Sequence, residues 1–199
     1  MRIGLDLDNT LICYDQAFLA VGKDEGLLPT SFEGGKAAIK KALLAERADG
    51  FLWERLQGLV YGRRIDAAVL FDGVPDFLGL CRQRGADVLV ISHKTELAHH
   101  DPLSTNLRQA ALRWMDRQGL FASTGLERDN IYFEATREGK VRRIGALGCA
   151  MFVDDLADVL TDAGMPAGCR KILFGGDPHD GLEHCATWRD VSHAIFPGR

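Results

Sequence analysis

Four short apolar runs set the frame for this chain: RIGLDL at 2–7, DVLVIS at 87–92, AMFVDD at 150–155 and KILF at 171–174. Each is long enough for a buried strand and too short for a helix. The segments between them have helical spacing. VPDFLGLCRQRG places Phe77, Leu78 and Cys81 on one face and stops at Gly85, a C-terminal cap. NLRQAALRWMDRQG repeats the design with Leu107, Ala110, Ala111, Trp114 and Met115, again ending in glycine. Read as crossover helices between strands, these segments specify an α/β fold with a parallel sheet.

One stretch breaks the rhythm. Between 15 and 72, EGGKAAIKKALLAERADGFLWERLQGLVYG shows helical spacing and no convincing buried strand. The expected organisation is therefore a core of residues 1–14 and 73–199 with a helical lobe inserted at 15–72 after the first strand. The 199 residues suit one ordinary domain with such an insert, and a hydrophobic fraction of 46% is enough for a packed core.

The first strand ends in two carboxylates separated by one residue. In extended chain, Asp6 and Asp8 point to one side of the backbone, so their charges share a small volume and repel unless a cation, a proton or hydrogen bonds lie between them. Similar groups recur where strands end or helices begin: Ser92 after the second run, Lys140 opening GKVRRIGALG, and Asp154 with Asp155 after the third. Singly, each has an ordinary reading. A serine ending a strand is a turn former, a lysine in a first helical turn is solvated, and paired acids cap the helix that follows. In an open parallel sheet, however, ligands bind beyond the carboxyl ends of the strands, so these groups are expected to converge.

DLDNT resembles the first motif, D-x-D-x-T, of the haloacid dehalogenase superfamily, whose members are mostly magnesium-dependent phosphatases. VLVIS is similar to the second motif, Lys140 stands where the third-motif lysine is expected, and MFVDD is similar to the D-D form of the fourth. Lys94, Arg142 and Arg143 are alternative cations for the third role. The resemblance implies a Rossmann-like core with residues 15–72 as a helical cap. It implies Asp6 as nucleophile, forming an aspartyl phosphate, and Asp8 as general acid and base. Ser92 would donate to a phosphoryl oxygen, Lys140 would offset charge, and Thr10 completes the first motif as a substrate contact. Mg2+ would be held by the Asp6 carboxylate, the Asp8 backbone carbonyl and either Asp154 or Asp155, which sequence does not rank. Such an ion answers the repulsion between Asp6 and Asp8.

The expected substrate is a small phosphorylated metabolite selected by the helical lobe. Arg63 and Arg64, following Gly62 where the lobe returns to the core, are its best candidates for an anionic or hydroxyl-rich leaving group, and His93 is a candidate by its place beside Ser92. A phosphomutase or phosphotransferase of the same superfamily is the alternative. A receiver-like phospho-accepting module fits less well, because its accepting aspartate lies on a middle strand. With 24 basic and 28 acidic side chains, a net charge of −4 and no basic stripe, nucleic acid is not an expected partner, and no run approaches the ~20 apolar residues of a membrane span. Five scattered cysteines without a C-x-x-C pair, and a first strand with no leader pattern before it, fit the cytoplasm. Oligomeric state is not legible.

Overall fold

The computed structural model describes residues 1–198. In chain order its elements are β1 (Arg2–Leu5), β2 (Ile12–Cys13), α1 (Asp15–Asp24), α2 (Lys36–Glu46), α3 (Phe51–Tyr61), β3 (Val69–Leu70), α4 (Val74–Gln83), β4 (Asp87–His93), α5 (Leu107–Arg117), α6 (Leu120–Ser123), β5 (Ile131–Glu134), α7 (Arg137–Ala146), β6 (Met151–Asp154), α8 (Ala157–Leu160), β7 (Arg170–Phe174), β8 (Glu183–Cys185) and α9 (Trp188–Ile195). The chain divides into two compact units: one of residues 1–12, 70–94 and 116–199, the other of 13–69 and 95–115.

The first unit is an α/β, Rossmann-like sheet flanked by helices. Its six strands run in the order β5-β4-β1-β6-β7-β8, every neighbouring pair parallel. β1 is central, with Leu5 opposite both Val90 of β4 and Val153 of β6. The chain builds outward from β1 to β4 and β5, then crosses to β6, β7 and β8 on the other side. That reversal is a topological switch point, and it brings the ends of β4, β1 and β6 together. Adjacent residues of β7 show the two layers. Leu173 joins a core with Leu89, Ile91, Val141, Ile144 and Phe152, whereas Phe174 points the other way, its ring centroid 5.2 Å from that of Trp188. Phe77 of α4 meets the same tryptophan at 4.8 Å.

The second unit is helical. Phe18 of α1 stacks on Trp53 of α3 at 5.3 Å and meets Tyr61 edge-on at 5.6 Å. The sequence expectation placed the helical lobe at 15–72; here 13–69 is joined by 95–115. Thus α5, which lies in the connection between the parallel strands β4 and β5, belongs up to Met115 with the helical residues. Its Trp114 is fully buried there and donates its indole N–H to the Ala68 carbonyl at 3.3 Å. Among the described residues no helix is long and apolar enough to cross a membrane.

Candidate active site

Asp6 follows β1 directly and is tied to the neighbouring strand, its N–H donating to the Val153 carbonyl at 2.9 Å. The chain then turns sharply. Leu11 and Ile12 both donate N–H to the Leu7 carbonyl, and Asn9 donates to Ile12. Asn9 adopts φ 59°, a left-handed conformation that asparagine tolerates better than most side chains. The turn is held from far along the chain by Trp188, whose indole N–H donates to the Thr10 carbonyl at 3.0 Å.

Seven polar or charged side chains are buried among the described residues. Six of them, Asp6, Thr10, Ser92, Lys94, Lys140 and Asp154, lie at the ends of these central strands and their following turns or on the helix behind them; the seventh is Thr124. Such concentration of buried charge is costly unless the groups are paired. Lys140 Nζ lies 2.5 Å from Asp6 Oδ1 and 2.6 Å from Asp154 Oδ2. Asp154 Oδ1 accepts the Leu156 N–H at 3.0 Å, so both of its oxygens are engaged, although Leu156 precedes α8 and neither acid caps that helix with its side chain. Lys94 Nζ stands 2.7 Å from Asp8 Oδ2. The Thr10 hydroxyl is 3.5 Å from Asp155 Oδ1.

The charges do not balance. Burial pushes the Asp6 carboxyl well above the usual carboxylate range; Lys140 opposes the shift, and Asp154, Asp155 and Asp8 add to it. Burial acts to lower Lys140, but Asp6 and Asp154 more than offset it and hold the ammonium above the ordinary lysine range. Lys140 therefore stays charged, and by formal count the cluster carries a negative surplus. One oxygen each from Asp6, Asp154 and Asp155 lies within 4.8 Å of the others, a spacing that suits a shared cation. Ser92 Oγ is buried beside this cluster's strand ends with no hydrogen-bond partner.

No protein-family model matches the sequence, and no curated protein matches it. Solved structures do. A HAD-superfamily hydrolase of subfamily IA, variant 1, from Geobacter sulfurreducens aligns with TM-score 0.63 at 13% identity over 98% of this chain and 95% of its own. A HAD family hydrolase from Deinococcus radiodurans, solved with bound phosphate and sodium, aligns with TM-score 0.58 at 14% identity over 98% and 94%. Protein tyrosine kinase A of Mycobacterium tuberculosis aligns with TM-score 0.69 at 15% identity over 98% and 97%.

The chain has the fold of the haloacid dehalogenase superfamily.

Within this haloacid dehalogenase fold, Asp6, Asp8, Thr10, Ser92, Lys140, Asp154 and Asp155 all belong to the sheet unit. His93 ends β4 as an exposed side chain, its Nε2 3.1 Å from the Ala135 carbonyl. Arg63 and Arg64 belong to the helical unit. Arg64 is bound to Asp24 at 2.6 Å and Glu25 at 2.8 Å, and Arg63 lies 4.0 Å from Glu25. Lys140 does not open its helix: α7 starts at Arg137, after Thr136 caps it by accepting the Gly139 N–H at 3.0 Å, which sets Lys140 one turn inside. Trp188 was missed altogether, since nothing in DLDNT signals a partner 178 residues away.

Proposed function

We propose that this chain is a magnesium-dependent phosphohydrolase that passes the phosphoryl group of a small phosphate ester to Asp6 and then to water. The observation that supports it is the charge count around an unpartnered hydroxyl. Four carboxylates (Asp6, Asp8, Asp154, Asp155) face two ammonium groups (Lys94, Lys140), leaving a formal surplus of −2 at the strand ends that carry Ser92. An all-oxygen donor set with two excess negative charges suits a hard divalent cation. Asp6, the Asp8 backbone carbonyl and Asp155 would hold it. Asp154 is the weaker candidate, because Lys140 and the Leu156 N–H already engage its two oxygens. When bound, Mg2+ neutralises the cluster and polarises a phosphoryl oxygen.

In the first step an Asp6 oxygen attacks phosphorus, the bond from phosphorus to the leaving oxygen breaks, and Asp8 gives that oxygen its proton. Water then attacks the aspartyl phosphate. Asp8 takes the water's proton, the bond between phosphorus and Asp6 breaks, and inorganic phosphate leaves with Asp6 restored. Ser92 donates to a phosphoryl oxygen, which satisfies its buried hydroxyl, and Lys140, braced by Asp154, offsets charge on Asp6 and the phosphoryl group. Thr10 has its carbonyl held by Trp188 and its hydroxyl near Asp155, which supports a positioning role beside its expected substrate contact.

The helical unit is proposed as a cap. The chain leaves the sheet unit after residues 12 and 94, in both cases just past site residues, which supports a role for the helical unit in excluding water and selecting small substrates. His93, Arg63 and Arg64 remain the proposed substrate contacts. The test is release of p-nitrophenol and inorganic phosphate from p-nitrophenyl phosphate with Mg2+ and with EDTA, followed by a panel of phosphorylated metabolites and phosphopeptides. Metal-independent turnover, or equal kcat/KM on phosphopeptides, contradicts the reading. A structural neighbour named as a tyrosine kinase gives a second reading, phosphotransfer to an acceptor other than water. Alcohol release in excess of phosphate would identify it.

A further inference from the structure

The helical unit carries a cavity of about 440 Å3 between α3 and the segment 100–103. Phe51, Arg55 and Leu59 are four residues apart on α3 and so share one of its faces. Phe51 and Leu59 with Pro102 and Leu103 make apolar walls, and Leu103 is 71% exposed at the rim. Arg55 and Arg63 line the same space.

These cations are poorly matched by local acids. Arg55 is half-buried and, among the described residues, has no hydrogen-bond or ion-pair partner. Arg63 has Glu25 no nearer than 4.0 Å, while Arg64 holds that carboxylate at 2.8 Å. Asp101 also lines the cavity, but its oxygens accept the N–H groups of Leu103 and Thr105 and the Thr105 hydroxyl. Glu54 is taken by His100 Nε2 at 3.0 Å. The Thr105 hydroxyl, the backbone N–H groups and the charge of Arg63 hold the Asp101 carboxyl below its usual range, so the cavity presents two guanidinium groups and one carboxylate, a net positive lining against apolar walls.

The wall is held in place at some cost. His100 and Ser104 adopt φ 54° and 48°, a left-handed conformation uncommon outside glycine that histidine accepts more readily than serine. Gly58 allows the segment to lie against α3: a Cβ there would come within 2.8 Å of the His99 carbonyl oxygen. The hydrogen bonds of Asp101 then fix the turn. A preformed apolar cavity with a few convergent polar groups is the usual form of a small-molecule site.

We propose that this cavity binds a small organic anion, its aromatic or branched apolar body against Phe51, Leu59 and Leu103 and its carboxylate, sulfonate or phosphate on Arg55 and Arg63. Guanidinium groups suit such planar or multidentate anions. The cavity lies within the helical unit; Arg63 is shared with the substrate role proposed above, whereas Arg55 belongs to this cavity alone, so a test on Arg55 does not depend on the hydrolytic reading.

The test uses the whole chain and two fluorescent probes of nearly the same body: 1-anilinonaphthalene-8-sulfonate, and uncharged N-phenyl-1-naphthylamine. The sulfonate should bind saturably at one site, and about tenfold or more tighter than the neutral probe, as charge-assisted hydrogen bonds would give. Arg55→Gln should remove that preference while leaving neutral-probe affinity unchanged, Arg55→Lys should be intermediate, and Lys41→Gln on an exposed part of α2 should change nothing. Equal binding of the two probes by the wild type, loss of both probes in Arg55→Gln, or an unchanged sulfonate affinity in that variant would overturn the proposal.

Discussion

Lys140 and Asp6 are 134 residues apart in the chain and 2.5 Å apart in space. The same ammonium also holds Asp154 and so bridges these two buried carboxylates. Lys140→Met leaves both acids buried without it. Removing one partner of a buried pair costs about 3–5 kcal/mol. We expect a melting temperature in EDTA well below wild type, with Mg2+ restoring part of it because a cation again separates the acids.

Lys94 answers Asp8 as Lys140 answers Asp6, at 2.7 Å. Lys94→Met raises the site's formal surplus from −2 to −3. The variant should bind Mg2+ more tightly and inorganic phosphate more weakly, both read by calorimetry. Weaker binding of both would mean that Lys94 acts through the fold rather than through charge.

The neighbouring acids separate by role. Asp154→Asn should lower stability even without metal, since it weakens the grip on buried Lys140. Asp155→Asn should leave EDTA stability close to wild type and lose the Mg2+-induced gain, which for a site filled at 100 times its dissociation constant is about 2.7 kcal/mol. The reverse pattern would exchange the two assignments.

Trp188 reaches the turn that follows β1 through a hydrogen bond from its indole N–H to the Thr10 carbonyl. Trp188→Phe keeps an aromatic ring against Phe77 and Phe174 but orphans a buried carbonyl, a loss of about 1–3 kcal/mol. We expect kcat to fall with little change in KM, because the turn that carries Asp8 loosens.

At the far end of the chain, the Thr187 hydroxyl and backbone hydrogen bonds hold the Asp190 carboxyl below the usual carboxylate range. A depressed carboxyl contributes stability above its unfolded pKa and loses it as pH falls through the folded value. The stability difference between wild type and Asp190→Asn should therefore be full at neutral pH and shrink below about pH 4, near the ordinary aspartate pKa. A constant difference across that range would rule out the charged cap.

The central strands were legible because each is an unbroken apolar run: β1, β4, β6 and β7 all fall within the runs named from sequence or one residue beyond. The edges were not. β5 is half-buried along its four residues and β8 has only three, so neither carries a strong pattern. Asp6, Ser92 and Asp154 could be placed at strand ends from sequence, and Lys140 could be named as a cation for them, whereas the pairing of Lys94 with Asp8 and of Trp188 with Thr10 depends on long-range packing that local pattern does not encode. The same holds for 95–115, whose place in the helical unit rests on contacts such as Trp114 with Ala68 and the close approach at Gly58.

The most direct test of the account is to trap the phosphoryl group. Wild-type protein quenched during turnover of p-nitrophenyl phosphate with Mg2+, then treated with borohydride, should yield a peptide in which residue 6 is reduced to homoserine, and Asp6→Asn should give neither turnover nor reduction. Reduction at a different aspartate, or an Asp6→Asn variant that still turns over substrate, would contradict it.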